Sequence, residues 1–105
     1  MPAPLIDLHT HSSVSDGTET PTRLVRSAAA AGLSVVALTD HDSTAGWHEA
    51  FTAAEGTGLT VIPGMELSTN YGPASVHMLA YLFDPNDPGI ISETARIRDG
   101  RLHRA

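Results

Sequence analysis

Short apolar runs alternate along the chain with longer stretches of helical periodicity, and polar loops separate them. Leu5-Ile6-Asp7-Leu8-His9 reads as a short, mostly apolar strand, and a loop rich in Ser, Thr, Asp and Gly runs from His11 to Thr20. Thr20-Pro21 then sets a capping hydroxyl before a proline, whose missing N–H costs nothing in a first helical turn. A helix is expected through Arg23-Leu24-Val25-Arg26 and the alanines after them, ending with Gly32 at the C′ position. Ser34 to Thr39 is apolar on both faces, the pattern of a parallel strand buried from two sides. A second polar loop, Asp40 to Thr44, leads to a helix over Ala45–Glu55, stopped by Gly56 and Gly58.

Leu59 to Ile62 forms the third strand, and Pro63-Gly64 a bend. Met65–Thr69 either continues that strand or forms a separate one. Asn70-Tyr71-Gly72-Pro73 has turn chemistry. Ser75 to Phe83 is a fourth strand, Asp84 to Gly89 a loop, and the tail from Ile90 a helix with Ser92 as its candidate cap. The order is β-α-β-α-β-β-α, and strand–helix alternation predicts an α/β fold with a parallel sheet or a barrel.

Composition narrows the function classes. The formal charge is −6, with Lys and Arg together at 6 against 12 Asp plus Glu, which argues against nonspecific nucleic-acid binding by a basic surface. There is no Cys, hence no disulfide and no zinc finger. No apolar run approaches the ~20 residues of a membrane span, and Met1–Pro4 is too short for a signal peptide, so a cytoplasmic location and no membrane partner are expected. Six His in 105 residues stand out.

Their positions carry the chemistry. His9 and His11 are two apart, a spacing that points both rings to one side of a strand. Asp16 lies in the next loop, Asp40-His41-Asp42 just past the second strand, Glu66 after the third and His77 within the fourth. Strands of a parallel β/α arrangement end on one rim, where active sites collect. Singly, each residue has another reading. Asp40 and Asp42, with Ser43 or Thr44, suit a helix cap; Glu66 suits a solvated turn; His77 suits a hydrogen-bonded core position. Together at successive strand ends, the mixed His/Asp/Glu set favours Mn, Zn or Fe over Ca or Mg alone, and its size suggests two or more ions. Clustered ions serve phosphoryl chemistry. His48 and His103 fall outside the pattern, and Trp47, Tyr71 and Tyr81 read as packing residues.

The stretches Asp7-Leu8-His9-Thr10-His11-Ser12, Ser15-Asp16-Gly17-Thr18 and Thr39-Asp40-His41-Asp42-Ser43-Thr44-Ala45-Gly46 resemble the PHP (polymerase and histidinol phosphatase) domain family. Pro63-Gly64-Met65-Glu66-Leu67-Ser68 and Val76-His77-Met78-Leu79-Ala80-Tyr81 match its next two motifs in order. The resemblance implies the N-terminal part of a distorted seven-stranded β/α barrel (PHP, TIM-like) with two or three divalent ions (Mn, Zn, Fe or Mg) at the strand ends. On that resemblance His9 and His11 bind one metal, Glu66 bridges two, His77 completes the second set, and Asp16 and His41 hold a third. Glu66 and His41 are the catalytic candidates, and Asp7, Asp40 and Asp42 are taken to orient ligating imidazoles.

The implied activity is that of a stand-alone metal-dependent phosphoesterase, a hydrolase in which metal-activated water attacks phosphorus. Its expected substrate is a small phosphorylated molecule, a nucleotide, or short single-stranded RNA or DNA. The family's last motifs, a further His and an Asp-x-His, do not occur between Asp84 and Ala105. The expectation is therefore a partial PHP domain over 1–105, with 90–105 starting a helix that leads to an absent insertion and C-terminal half. The alternatives are a catalytically incomplete fragment, or the non-catalytic PHP module of a DNA polymerase, against which Asp42 counts. A β/α barrel takes about 200 residues. Half of one leaves strand edges bare, so marginal stability or aggregation is expected, felt most at Val35, Val36 and Leu38.

Overall fold

The computed structural model describes residues 4–71 and 74–104, and the side chains among them except at 69–71, 74 and 98–104. The elements are β1 (Leu5–Thr10), α1 (Pro21–Ala30), β2 (Leu33–Leu38), α2 (Trp47–Ala54), β3 (Thr60–Tyr71), β4 (Ala74–Tyr81) and α3 (Pro88–Arg104). The expected β-α-β-α-β-β-α order is therefore present. The turn expected at Asn70–Pro73 falls partly on residues 72–73, and the readings of Tyr71 and His103 concern side chains that are likewise outside the described set.

Local chemistry explains most boundaries. The Thr20 hydroxyl accepts from the Arg23 N–H at 3.2 Å and Pro21 opens α1. Gly32, just past the cap of α1, takes φ 86°, which only glycine adopts freely. The second helix starts later than expected, at Trp47, with Gly46 as its cap and no side-chain capping bond. Asp40, Asp42, Ser43 and Thr44 thus leave the cap position unused. Gly46 sits in a tight spot: a Cβ there would lie 3.0 Å from Pro21 Cγ and 3.2 Å from Leu38 Cδ2. α3 begins at Pro88 rather than Ile90. Asp87 Oδ1 accepts from the Gly89 and Ile90 N–H groups at 2.8 and 3.1 Å, so Asp87 rather than Ser92 supplies the cap.

The sheet order is β1-β2-β3-β4. β1 and β2 pair in parallel, as do β2 and β3, in line with the helical crossovers between them. β4 is antiparallel to β3, an exception within the otherwise parallel arrangement that strand–helix alternation predicts. Residues 72–73 alone separate the two strands, too few for a parallel crossover. β3 is one long strand that changes partner at the predicted bend: residues 60–63 pair with β2 and residues 64–71 with β4. Pro63 ends the first pairing, where it has no further ladder bond to donate. Gly64 lies so close to β4 that a Cβ would sit 2.9 Å from the Ala80 carbonyl oxygen and 3.0 Å from Tyr81 Cδ1.

The core lies between the helices and the middle strands. Val25, Val36, Leu38, Trp47, Ala50, Leu59 and Val61 form it, so α1 and α2 pack together over β2 and β3. Trp47 bears out its packing role: it is buried, its Nε1–H donates to the Gly64 carbonyl at 2.9 Å, and its ring lies 5.0 Å from Phe83. The outer strands differ. Leu5, Ile6 and Leu8 of β1 and Val76, Met78 and Leu79 of β4 are exposed. The sheet curls strongly enough to bring these opposite edges together, because the Tyr81 hydroxyl of β4 donates to the Leu8 carbonyl of β1 at 2.7 Å. A flat sheet would hold them roughly 14 Å apart. Among the described residues no helix is long and apolar enough to cross a membrane.

Candidate metal centre

The curl gathers ligand-type side chains around one carboxylate. Glu66 lies within β3, beyond its pairing with β2, rather than after the strand, because β3 continues through the bend at Pro63-Gly64. His41 reaches it through an isolated parallel bridge. The Glu66 N–H donates to the Asp40 carbonyl at 3.0 Å and the Asp42 N–H to the Glu66 carbonyl at 3.1 Å. Thr39 and Thr10 fix the ends of β2 and β1 beside them. Both the N–H and the hydroxyl of Thr39 donate to the Thr10 carbonyl, and the Thr10 hydroxyl donates to the Ala37 carbonyl. His77 sits opposite Ser68 in the β3–β4 register, one position along the same face from Glu66.

All six residues singled out from the sequence therefore meet. Glu66 Oε1 lies 2.6 Å from His9 Nε2 and 2.8 Å from His11 Nε2. Glu66 Oε2 lies 2.5 Å from His77 Nδ1 and 3.8 Å from His41 Nδ1. Asp16 Oδ1 is 2.6 Å from His11 Nδ1, and its Oδ2 is 3.1 Å from His41 Nε2. Neighbouring rings along the series His9, His11, His41, His77 have centroids 5.2, 4.4 and 5.4 Å apart. Glu66 is 5% exposed, whereas the side chains of His9, His77 and Asp16 are about half exposed or more. The cluster thus has a buried floor and an open mouth.

Electrostatics follow from this packing. Burial pushes the Glu66 carboxyl up, but hydrogen bonds from His77, His9 and His11 and the charge of His41 outweigh it and bring the pKa from 4.5 to about 2. The hydrogen bond from His11 holds Asp16 below the usual carboxylate range, opposed by slight burial and helped by the charges of His11 and His41.

The donor set fits divalent cations. Three groups each bring their ligand atoms within 4.8 Å of one another: His9, His11 and Glu66; His11, Asp16 and His41; and His41, Glu66 and His77. Both ring nitrogens of His11 and of His41 face carboxylate oxygens. A neutral imidazole carries only one N–H, so a cation between the rings and carboxylates resolves the mismatch as well as protonation does. Tetrahedral ligands about 2.1 Å from a shared ion lie about 3.4 Å from each other, so the pairs at 2.5–2.8 Å would open by less than about 1 Å to hold one.

The motif residues were legible one by one, but their supporting groups were not. Ser12 and Ser15 bind the buried Asp40 carboxylate. Their sequence signal is their place in the polar loop after His11 and within the first two PHP-like stretches, neither of which names Asp40 as their partner. Asp7 accepts from the His9 backbone N–H at 3.1 Å, so it steadies the strand end rather than an imidazole. His48 lies on the exposed side of α2, away from the cluster.

The sequence matches the PHP domain over residues 7–90. It is 44% identical over 100 residues to a 3',5'-nucleoside bisphosphate phosphatase from Chromobacterium violaceum, covering 95% of this chain and 35% of that protein. It is 46% identical over 82 residues to a 5'-3' exoribonuclease from Haemophilus influenzae, covering 78% of this chain and 30% of that protein. The fold superposes with a TM-score of 0.91 on a Bifidobacterium adolescentis protein described as a "putative metal-dependent phosphoesterase". The two are 48% identical, with 98% of this chain and 36% of that chain covered. The chain spans about a third of the length of these relatives. Its curled sheet corresponds to the N-terminal part of their TIM-like barrel. Ordered motifs, a shared fold and a match across most of the chain agree, and the chain belongs to the PHP domain family.

Proposed function

We propose that this chain is the metal-binding N-terminal part of a phosphoesterase that hydrolyses phosphate esters of nucleotides or short oligonucleotides. The observation that carries the reading is Glu66, a buried carboxylate with its two oxygens shared among the imidazoles of His9, His11 and His77 and facing His41. The names of the Chromobacterium and Haemophilus relatives support a nucleotide or RNA substrate.

In this reading His9, His11 and Glu66 hold one ion, His41, Glu66 and His77 a second, and His11, Asp16 and His41 a third. Bound Mn, Zn, Fe or Mg supplies an activated water and positive charge for the phosphoryl oxygens. The protein's own part is preorganisation. Glu66 contributes fixed negative charge from a dry floor, and the half-exposed His9, His77 and Asp16 leave the mouth open to a phosphate ester. The Glu66 and Asp16 carboxyls, both held low, stay ionised at neutral pH and act as ligands rather than proton donors. The chain has no Cys and so supplies no thiol nucleophile of its own.

The test is turnover of a nucleoside 3′,5′-bisphosphate and of a 5′-phosphorylated oligoribonucleotide, before and after chelation and after Mn²⁺ is restored, beside Glu66→Gln. Activity indifferent both to chelation and to that substitution refutes the metal mechanism. A second reading, a half-barrel that binds ions without turnover, is favoured by the exposed apolar residues of β1 and β4. Bound ions in elemental analysis with no hydrolysis of either substrate would select it.

A further inference from the structure

We propose that Asp40 is a positioning residue for one ion of the cluster, the one assigned to His11, Asp16 and His41; the inference rests on the metal-site reading above. Asp16 is the most exposed of the candidate ligands, at 61% side-chain exposure, and it sits on a loop rather than a strand. Such a residue holds its place only if the loop does. The loop is organised around Asp40, which is 1% exposed. Asp40 Oδ1 accepts from the Ser12 N–H at 2.6 Å and from the Ser15 hydroxyl at 2.8 Å, and Oδ2 accepts from the Ser12 hydroxyl at 2.7 Å.

The bonds continue into the turn. The Ser12 hydroxyl accepts from the Val14 N–H at 3.1 Å, and the Ser12 carbonyl accepts from the Ser15 and Gly17 N–H groups at 3.1 and 2.8 Å. The loop closes so tightly that a Cβ on Gly17 would lie 2.3 Å from the His11 carbonyl oxygen. Asp16 is thus fixed between Ser15, tied to Asp40, and Gly17, tied to Ser12. On its other side Asp40 offers its carbonyl to the Glu66 N–H, so one residue sets both the His41–Glu66 bridge and the reach of Asp16 to His41. Of the ligands of the Glu66-centred ions, His9, Glu66 and His77 stand on strands, His11 opens this loop and His41 follows Asp40; the third ion alone also draws Asp16 from within the loop.

The experiment is a Co²⁺ titration of the purified, chelator-treated protein, followed by its visible absorption, with bound metal counted after gel filtration. Wild type is compared with Asp40→Asn, Ser15→Ala, Asp16→Asn and Glu66→Gln. Asp40→Asn is expected to reproduce the loss seen in Asp16→Asn. One ion should weaken roughly 10- to 100-fold while the remaining Co²⁺ bands persist, with a smaller shift of the same ion in Ser15→Ala. Wild-type stoichiometry and affinity in Asp40→Asn overturns the proposal. So does an equal weakening of every ion, which makes Asp40 a general stability element. If Asp40→Asn does not fold, Ser15→Ala decides: selective weakening supports the assignment, and an unchanged titration overturns it. Wild-type protein that takes up no Co²⁺ fails the metal-site reading itself and the proposal with it.

Discussion

Glu66→Gln removes one charge from the middle of the cluster and keeps the side chain's shape. In the metal-free chain the folded Glu66 carboxyl titrates at about 2 instead of 4.5. The folded state therefore holds that proton less tightly than the unfolded state. The resulting stabilisation is complete above about pH 4.5 and is lost as pH falls through about 2. The gap is worth roughly 3 kcal/mol, a large share of the ~5–15 kcal/mol that holds a small domain folded. Gln cannot titrate, so it lacks this pH-dependent part. Urea unfolding of chelated wild type and Glu66→Gln, followed by circular dichroism at steps from about pH 6 to pH 2, measures the difference between the two. That difference should shrink by roughly 3 kcal/mol across the window. Asp16, also held low, titrates in both proteins and cancels to first order. Two stability curves that stay parallel from pH 6 to about pH 2 would show that the imidazoles do not hold Glu66 ionised.

Other perturbations test the frame around the site. Gly64→Ala forces a methyl against the Ala80 carbonyl and Thr39 Cγ2, each 2.9 Å away, and should cost about 1–3 kcal/mol in urea unfolding while weakening bound Co²⁺. Leu38→Ala empties a site that is 1% exposed, between α1, α2 and the sheet, with an expected loss of about 2–5 kcal/mol by the same assay. Leu5, Ile6 and Leu8 are 55%, 55% and 47% exposed on the edge strand β1, so wild type should self-associate in analytical ultracentrifugation. Leu8→Lys should shift it toward monomer, and a monodisperse wild type would count against the bare-edge argument.

Much of the fold was legible because local chemistry dictated it. Thr20-Pro21 opened a helix and Gly32 closed it, in accord with a hydroxyl cap and a positive φ. The same signature recurs at Asp87-Pro88, where it outweighs Ser92, which sits inside the helix. β2 shows consecutive burial at Val36, Ala37 and Leu38, as its two-sided apolar pattern predicts, while Val35 is half-buried. What remained illegible depended on neighbours distant in sequence. Asp40 is a helix-cap residue by local rules, yet its carboxylate turns to Ser12 and Ser15, because buried donors from the first loop outcompete free N–H groups that water can serve.

The sequence by itself determined the inventory of candidate ligands. His-x-His, Asp-His-Asp, Glu66 and His77 stand at or beside the ends of short apolar runs whose periodicity places them in strands. Residue type, spacing and the strand–helix order are properties of the chain alone, and they pointed to one rim and to metal chemistry. The tertiary structure decided which oxygens and nitrogens meet. The partner change of β3 at Pro63-Gly64 and the short connection to an antiparallel β4 set His77 beside Glu66, and the curl carries His9 and His11 from the opposite edge to the same carboxylate. Curl is a collective property of paired strands, set by twist, close backbone approach and side chains such as Tyr81 that reach across it. No window of local sequence contains those contacts, which is why the candidate ligands could be named before folding and their shared centre only after it.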